Sequence, residues 1–266
     1  MPEYNMEVVI LCGGKGTRLS EETETRPKPM VEIGGRPILW HIMKYYSQFG
    51  YNNFVLALGY KAEIIKQYFY NLRITSSDSS ITLDPKSTIK YYNSPNEMDW
   101  SITFIDTGLE TLKGARIKRV EKYIKSDNFH LTYGDGLSNV NIKELVKFHF
   151  SHKKLATVTA VRPPSRFGEM ILHDNDVKIF NEKSQMHTGY INGGFFILNK
   201  EIMNYLSVDE ECDFEIGPLQ QLVKDGQLKA FKHDGFWQCM DNLRDKNYLS
   251  SLIKEKRAPW LIDNKI

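Results

Sequence analysis

The residues best equipped for chemistry sit early in the chain. Leu11-Cys12-Gly13-Gly14-Lys15-Gly16-Thr17-Arg18-Leu19 follows directly on the apolar run that begins at Val8. Glycines without a Cβ let the backbone approach a ligand closely and adopt positive φ. Their N–H groups can ring an anion as a nest. Thr17 adds a hydroxyl donor, and Arg18 a planar fork that matches phosphate oxygens. The spacing is neither G-x-x-x-x-G-K-[ST] nor G-x-G-x-x-G, and no helix is expected to begin at the third glycine. Glycines alone would equally suit a plain tight turn. The attached Thr17-Arg18 favours a cradle for a phosphate chain.

Two further positions suit charged phosphates. Lys28 lies in Arg26-Pro27-Lys28-Pro29-Met30, where prolines fix φ and bias their predecessors to extended backbone. Its stem is therefore pre-aimed. Asp135 lies in Gly134-Asp135-Gly136, just past the apolar Phe129–Tyr133. A carboxylate in such a turn suits Mg²⁺, which takes one or two carboxylates and keeps waters, although Asp-Gly is also a common plain turn. Asp241 precedes a helical pattern and reads by itself as a helix N-cap. Arg116 lies among Lys113, Lys118, Arg119 and Lys122; it could donate to a base carbonyl or a phosphate, or simply belong to a solvated basic face.

These residues need elements to hold them. Val8–Cys12 reads as a strand buried on both faces. A helical pattern runs from Pro37, a strand covers Phe54–Leu58, and a helix covers Ala62–Leu72. Ser101–Asp106 is a strand, Gly114–Ile124 a helix, Phe129–Tyr133 a strand, Ile142–Phe150 a helix and Ala156–Val161 a strand. Met170–Leu172 and Val177–Phe180 read as a hairpin, and Tyr190–Leu198 as a strand. Helices follow around Pro218–Lys224 and Leu243–Lys254. Alternation of this kind predicts an α/β fold with a largely parallel sheet. The expectation is one domain over residues 1–266, with an insertion at about 74–99 and a mixed, partly antiparallel C-terminal portion.

Composition excludes other classes. The 266 residues carry 35 Lys+Arg against 33 Asp+Glu, a net charge of +2, so no global basic field points to nucleic acid. Cys12, Cys212 and Cys239 are odd in number and far apart; neither a disulfide framework nor a zinc site is expected, and a reducing cytoplasm fits. No apolar run reaches the roughly 18 residues a membrane span needs.

Taken together, Gly13-Gly14-x-Gly16-Thr17-Arg18-Leu19 and Pro27-Lys28-Pro29-Met30 resemble the N-terminal signature of the sugar-1-phosphate nucleotidyltransferases. Tyr133-Gly134-Asp135-Gly136, Ile191-Asn192-Gly193-Gly194-Phe195-Phe196 and Phe236-Trp237-Gln238-x-Met240-Asp241 extend the resemblance, toward its cytidylyl branch. The resemblance implies a Rossmann-like mixed, mainly parallel sheet flanked by helices. It implies CTP and glucose 1-phosphate as substrates, Mg²⁺ as cofactor, and a homo-oligomer. Leu11, Gly13, Gly14, Gly16, Thr17, Arg18, Lys28, Arg116 and Asp135 would contact the nucleotide. Asp135 and Asp241 would hold the metal. Glu182, Lys183, Asn192 and Gly193 would contact the sugar phosphate, with Arg18, Lys28 and Lys183 catalytic. The family pattern Glu-Lys-Pro departs here to Glu182-Lys183-Ser184, which loosens the placement of Lys183. Within the same resemblance, UTP or dTTP could replace CTP, or the chain could bind a nucleotide sugar without turnover.

The implied reaction is in-line attack of the sugar phosphate on the α-phosphorus of CTP. A phosphomonoester with a second pKa near 6 is largely dianionic at neutral pH and needs no general base. The obstacle is repulsion between two anions, so catalysis is positioning and charge neutralisation. That agrees with a chain that shows no Ser/His/Asp or Cys/His constellation.

Overall fold

The computed structural model describes residues 5–83, 88–93, 99–163, 169–174, 176–181 and 189–261. Its centre is a seven-stranded sheet: β1 Val8–Cys12, β2 Asn53–Leu58, β3 Ser101–Asp106, β4 Asn128–Tyr133, β5 Ala156–Val161, β6 Ile191–Asn199 and β7 Leu228–His233. In space the order is β7-β5-β6-β4-β1-β2-β3. β1 runs parallel to β2 and β4, β2 parallel to β3, and β5 parallel to β7. Only β6 opposes its neighbours, pairing antiparallel with β4 and β5. The sheet is therefore mixed and mainly parallel, as the alternating pattern predicts.

β1 shows why the sheet forms. All five of its residues are buried. Because successive side chains point to opposite faces, Val8, Ile10 and Cys12 enter one apolar cluster, while Val9 and Leu11 enter the other. The first cluster takes in Ile38, Leu39, Ile42, Met43 and Tyr46 of α1 (Ile38–Ser47). It also takes in α4 (Ile142–His152) and α6 (Leu243–Lys254) through residues such as Leu145 and Leu249. The second packs around Ile117 of α3 (Lys113–Arg119), with Phe196 and Phe214. The remaining helices named here are α2 (Ala62–Ser76) and α5 (Gln220–Lys224).

The details depart from expectation in several places. α2 runs past Leu72 to Ser76, because Ile74 and Thr75 continue the turn into the region expected as an insertion. That region also holds a small antiparallel hairpin, Ser79–Ile81 with Ile89–Tyr91. The helix expected over Gly114–Ile124 stops at Arg119 and gives way to a 3₁₀ turn, Glu121–Tyr123. β7 carries no signal in the sequence, since Lys229, Ala230 and Lys232 leave a solvated edge strand rather than an apolar run. The hairpin near residue 170 is present as Glu169–His173 with Asp176–Asn181.

The chain winds outward from β1 through β2 and β3, then crosses back to β4 on the other side of β1. That reversal opens a crevice at the carboxyl ends of β1 and β4, where open α/β sheets bind ligands. β1 ends there in the glycine turn and β4 in Gly134-Asp135.

Candidate active site

The glycine turn is built by close backbone approach. Gly16 has φ of 66°, in the left-handed region that favours glycine. A Cβ on Gly16 would lie 2.9 Å from Lys28 Cβ and 3.0 Å from Thr23 Cγ2. Thr23 Oγ1 donates to the carbonyls of Gly16 and Leu19, tying the turn to the short helix Ser20–Thr23. A 3₁₀ turn over Thr17–Leu19 begins directly after the third glycine, where no helix was expected. Gly14, Thr17 and Arg18 are exposed, Gly13 is buried, and the Leu11 carbonyl accepts from the N–H of Gly134 at 3.1 Å.

Arg116, expected at the nucleotide, stands behind this turn. It is 4% exposed. One terminal nitrogen donates to the carbonyls of Leu58 and Gly108 and to Thr107 Oγ1; the other donates to the carbonyls of Gly13 and Leu109. A Cβ on Gly13 would sit 2.1 Å from the guanidinium. Arg116 thus pins the ends of β1, β2 and β3 to one another. The other lysines and arginine of its basic stretch do not share this burial.

Lys28 opens a 3₁₀ turn, Lys28–Met30, preceded by Pro27 at the φ of −69° its ring fixes and ψ of 150°; Lys28 itself, although followed by Pro29, is not held extended. Its side chain is 9% exposed, and Nζ lies 2.6 Å from Asp135 Oδ2 and 2.7 Å from Asp241 Oδ1. Arg18 reaches the other oxygen of Asp241 at 2.8 Å. Burial by itself would lower the Lys28 pKa, but Asp135, then Cys239 and the hydrogen bonds to both carboxylates, hold it above the ordinary lysine value. Burial would likewise raise Asp241, and Lys28 with Arg18 holds it below the usual carboxylate range.

A small ladder brings the two aspartates together. Gly136–Ser138 pairs antiparallel with Trp237–Cys239, and Met240 N–H donates to the Asp135 carbonyl at 2.9 Å. Asp241 is not the helix cap. Asn242 takes that place, its Oδ1 accepting from Asp245 N–H, while Asp245 accepts the N–H of Asp241 at 2.9 Å. The Asp241 carboxylate is therefore left to face Lys28. One ligand atom each from Asp135, Cys239 and Asp241 falls within 4.8 Å of the others. Two carboxylates at this spacing fit a hard divalent cation. The third atom is a thiol, soft and kept protonated by burial and the nearby Asp135; nothing in the sequence signalled its presence.

Asn192 is exposed and Gly193 buried at the start of β6, and Trp237 Nε1 donates to the Gly193 carbonyl at 2.8 Å. These two residues therefore adjoin the ladder that carries the aspartates. Glu182, Lys183 and Ser184 lie outside the described residues. A polar pocket of about 360 Å³ lies elsewhere, between the amino-terminal ends of β1, β2 and β3 and residues 123–126, and contains none of the predicted residues. Among the described residues, no helix is long and apolar enough to cross a membrane.

Comparison with known proteins gives the family. The family model described as nucleotidyl transferase matches residues 7–245. Glucose-1-phosphate cytidylyltransferase of Salmonella typhimurium is 45% identical over 264 residues, covering 96% of this chain and 98% of the relative. The probable glucose-1-phosphate cytidylyltransferase of Bacillus subtilis is 43% identical over 258 residues, covering 97% and 100%. Among solved structures, HddC from Yersinia pseudotuberculosis superposes with a TM-score of 0.67 at 27% identity, covering 92% and 98%. With a glycine turn, a lysine and paired aspartates gathered at one sheet crevice, and a family match spanning nearly its whole length, the chain belongs to the nucleotidyl transferase family.

Proposed function

We propose that the chain condenses CTP with glucose 1-phosphate to give CDP-glucose and pyrophosphate. The observation that carries this reading is the bridge from Lys28 to Asp135 and Asp241 beside the glycine turn. It is supported by end-to-end similarity to relatives that bear this activity in their names.

In this reading the backbone of Gly13, Gly14 and Gly16, with Thr17 and Arg18, receives the triphosphate. Lys28 lies against the α-phosphate, where negative charge is highest as the sugar phosphate approaches. Asn192 and Gly193, with Glu182 and Lys183, take the sugar phosphate. Asp135 and Asp241 would hold Mg²⁺, which when bound supplies charge neutralisation to the phosphates. Arg116 and Leu11 act from behind by fixing the turn. The sugar phosphate is already a dianion near neutral pH, so no residue must remove a proton from it. Cys12 and Cys239 are held as thiols by burial and the nearby Asp135, which disfavours either as a nucleophile.

We further propose that each chain is a single catalytic domain and that the enzyme works as a cytoplasmic homo-oligomer. The three cysteines are unpaired, which suits a reducing compartment.

A matrix of CTP, UTP, dTTP and GTP against glucose and mannose 1-phosphates, followed by pyrophosphate release, tests the substrate reading. CTP with glucose 1-phosphate should dominate, with CDP-glucose as the product by mass. Faster release with another triphosphate, or none with any pair, would reject it.

A further inference from the structure

Beside the aspartates lies a second cluster that the reaction as derived does not use. Tyr133, two residues before Asp135, donates its hydroxyl to Glu215 Oε1 at 2.6 Å. Lys113 Nζ lies 2.5 Å from the same oxygen. Asn192 Nδ2 in turn donates to the Tyr133 hydroxyl at 3.1 Å, and Asn192 Oδ1 accepts from Gly194 N–H at 2.9 Å. Glu215 itself is seated by Asp213, whose Oδ1 accepts the N–H groups of Glu215 and Ile216.

The polarity of this chain is fully determined. An ionised carboxylate paired with Lys113 can only accept. The single Tyr133 proton therefore goes to Glu215, and the Tyr133 oxygen can only accept from Asn192. A phenol carries one proton to donate and lone pairs to accept, and the 2.6 Å contact with Glu215 takes that proton. Asn192 must then turn its amide nitrogen to Tyr133 and its carbonyl oxygen to Gly194. The Gly194 N–H demands the same orientation independently. Gly194 has φ of 77°, and a Cβ there would lie 2.7 Å from the Tyr133 ring, so the loop and the ring are fitted to one another.

We propose that Glu215 and Tyr133 are positioning residues for the sugar: through this chain they fix which donor and which acceptor of Asn192 face a sugar hydroxyl. The inference rests on the reading that Asn192 contacts the sugar. It makes the chain's discrimination of sugars depend on Glu215, which lies outside the glycine turn, the lysines and the aspartates.

The test compares Tyr133→Phe, Glu215→Leu and Glu215→Gln with the unaltered enzyme, by steady-state kinetics and by calorimetric binding of CDP-glucose and of CTP. Tyr133→Phe and Glu215→Leu should raise KM for glucose 1-phosphate about tenfold and weaken CDP-glucose binding about as much, the scale of one hydrogen bond. KM and Kd for CTP should stay within about twofold, on the same scale. Glu215→Gln keeps an acceptor for Tyr133 and should restore most of the loss. An unchanged KM for glucose 1-phosphate in Tyr133→Phe, or equal losses toward CTP and sugar, would overturn the proposal while leaving the cytidylyltransferase reading intact. Failure of the unaltered enzyme to bind CDP-glucose would overturn both.

Discussion

Lys28 and Asp241, 213 residues apart in the chain, meet at 2.7 Å in the crevice, and Asp135 closes on the same ammonium from the other side. One lysine thus keeps two carboxylates in register. Replacing Lys28 with Ala should cut turnover by roughly 10²–10³-fold, the scale seen when one charge-stabilising donor is removed. Steady-state rates at saturating substrates, with circular dichroism to verify the fold, check this.

The Lys28 stem lies against the glycine turn, so Gly16→Ala should act on both. A left-handed φ costs a non-glycine residue about 1–2 kcal/mol, and the new methyl would press on Lys28 Cβ. Thermal melting should fall, and turnover should fall with it. A Gly14→Ala variant is the control for melting alone, since a Cβ there meets nothing within 4 Å.

Arg116→Met removes the donors that hold the carbonyls of Gly13, Leu58, Gly108 and Leu109. Buried acceptors left unpaired cost about 1–3 kcal/mol each before relaxation. Denaturant melts should show a loss of several kcal/mol, on the order of the larger single-substitution effects. KM for CTP should rise because the turn is no longer fixed.

Asp135→Asn and Asp241→Asn should each raise the Mg²⁺ concentration needed for half-maximal rate or abolish activity. Mn²⁺ binding followed by electron paramagnetic resonance, in the presence of CTP, should weaken in parallel. Unaltered metal titrations in both variants would remove the aspartates from that role.

Stability should decline in mild acid. His130 is fully buried among Tyr46 and Tyr51, neither ring nitrogen has a hydrogen-bond partner among the described residues, and burial lowers its pKa to about 3. Burial also lowers His41 and His149 to about 4. The unfolded chain binds these protons below the ordinary value near 6.5 while the folded chain does not. Stability is therefore lost as pH falls from about 6.5, by at most about 1.4 kcal/mol per pH unit per histidine. Asp241 has the same sign in a lower window: its contribution is complete above the ordinary 3.8 and is lost as pH falls through its depressed folded value. Melting temperatures between pH 7.5 and 5 should drop, and His130→Phe should flatten that drop.

Much of this molecule was legible in its residues. The five apolar residues of β1 and the punctuation Gly13-Gly14 are local signals, and local physics fixes their outcome. What stayed hidden depends on distant partners. Arg116 looked like one charge on a basic face because its acceptors are carbonyls of three other strand ends. Asp241 looked like a cap because only the fold reveals that Asn242 does the capping and Asp245 holds the Asp241 N–H. β7 has no apolar run because one side of it is solvent. Glu215 reaches the crevice from a segment that carries no motif, and Cys239 from the one unspecified position of Phe236-Trp237-Gln238-x-Met240-Asp241.

The central claim is that fixed charges let one phosphate displace pyrophosphate from another without a covalent enzyme intermediate. Turnover of CTP made chiral with sulfur at the α-phosphorus tests it most directly. A single displacement in the crevice predicts inverted configuration in the CDP-glucose product, whereas net retention would require two displacements and contradict the account.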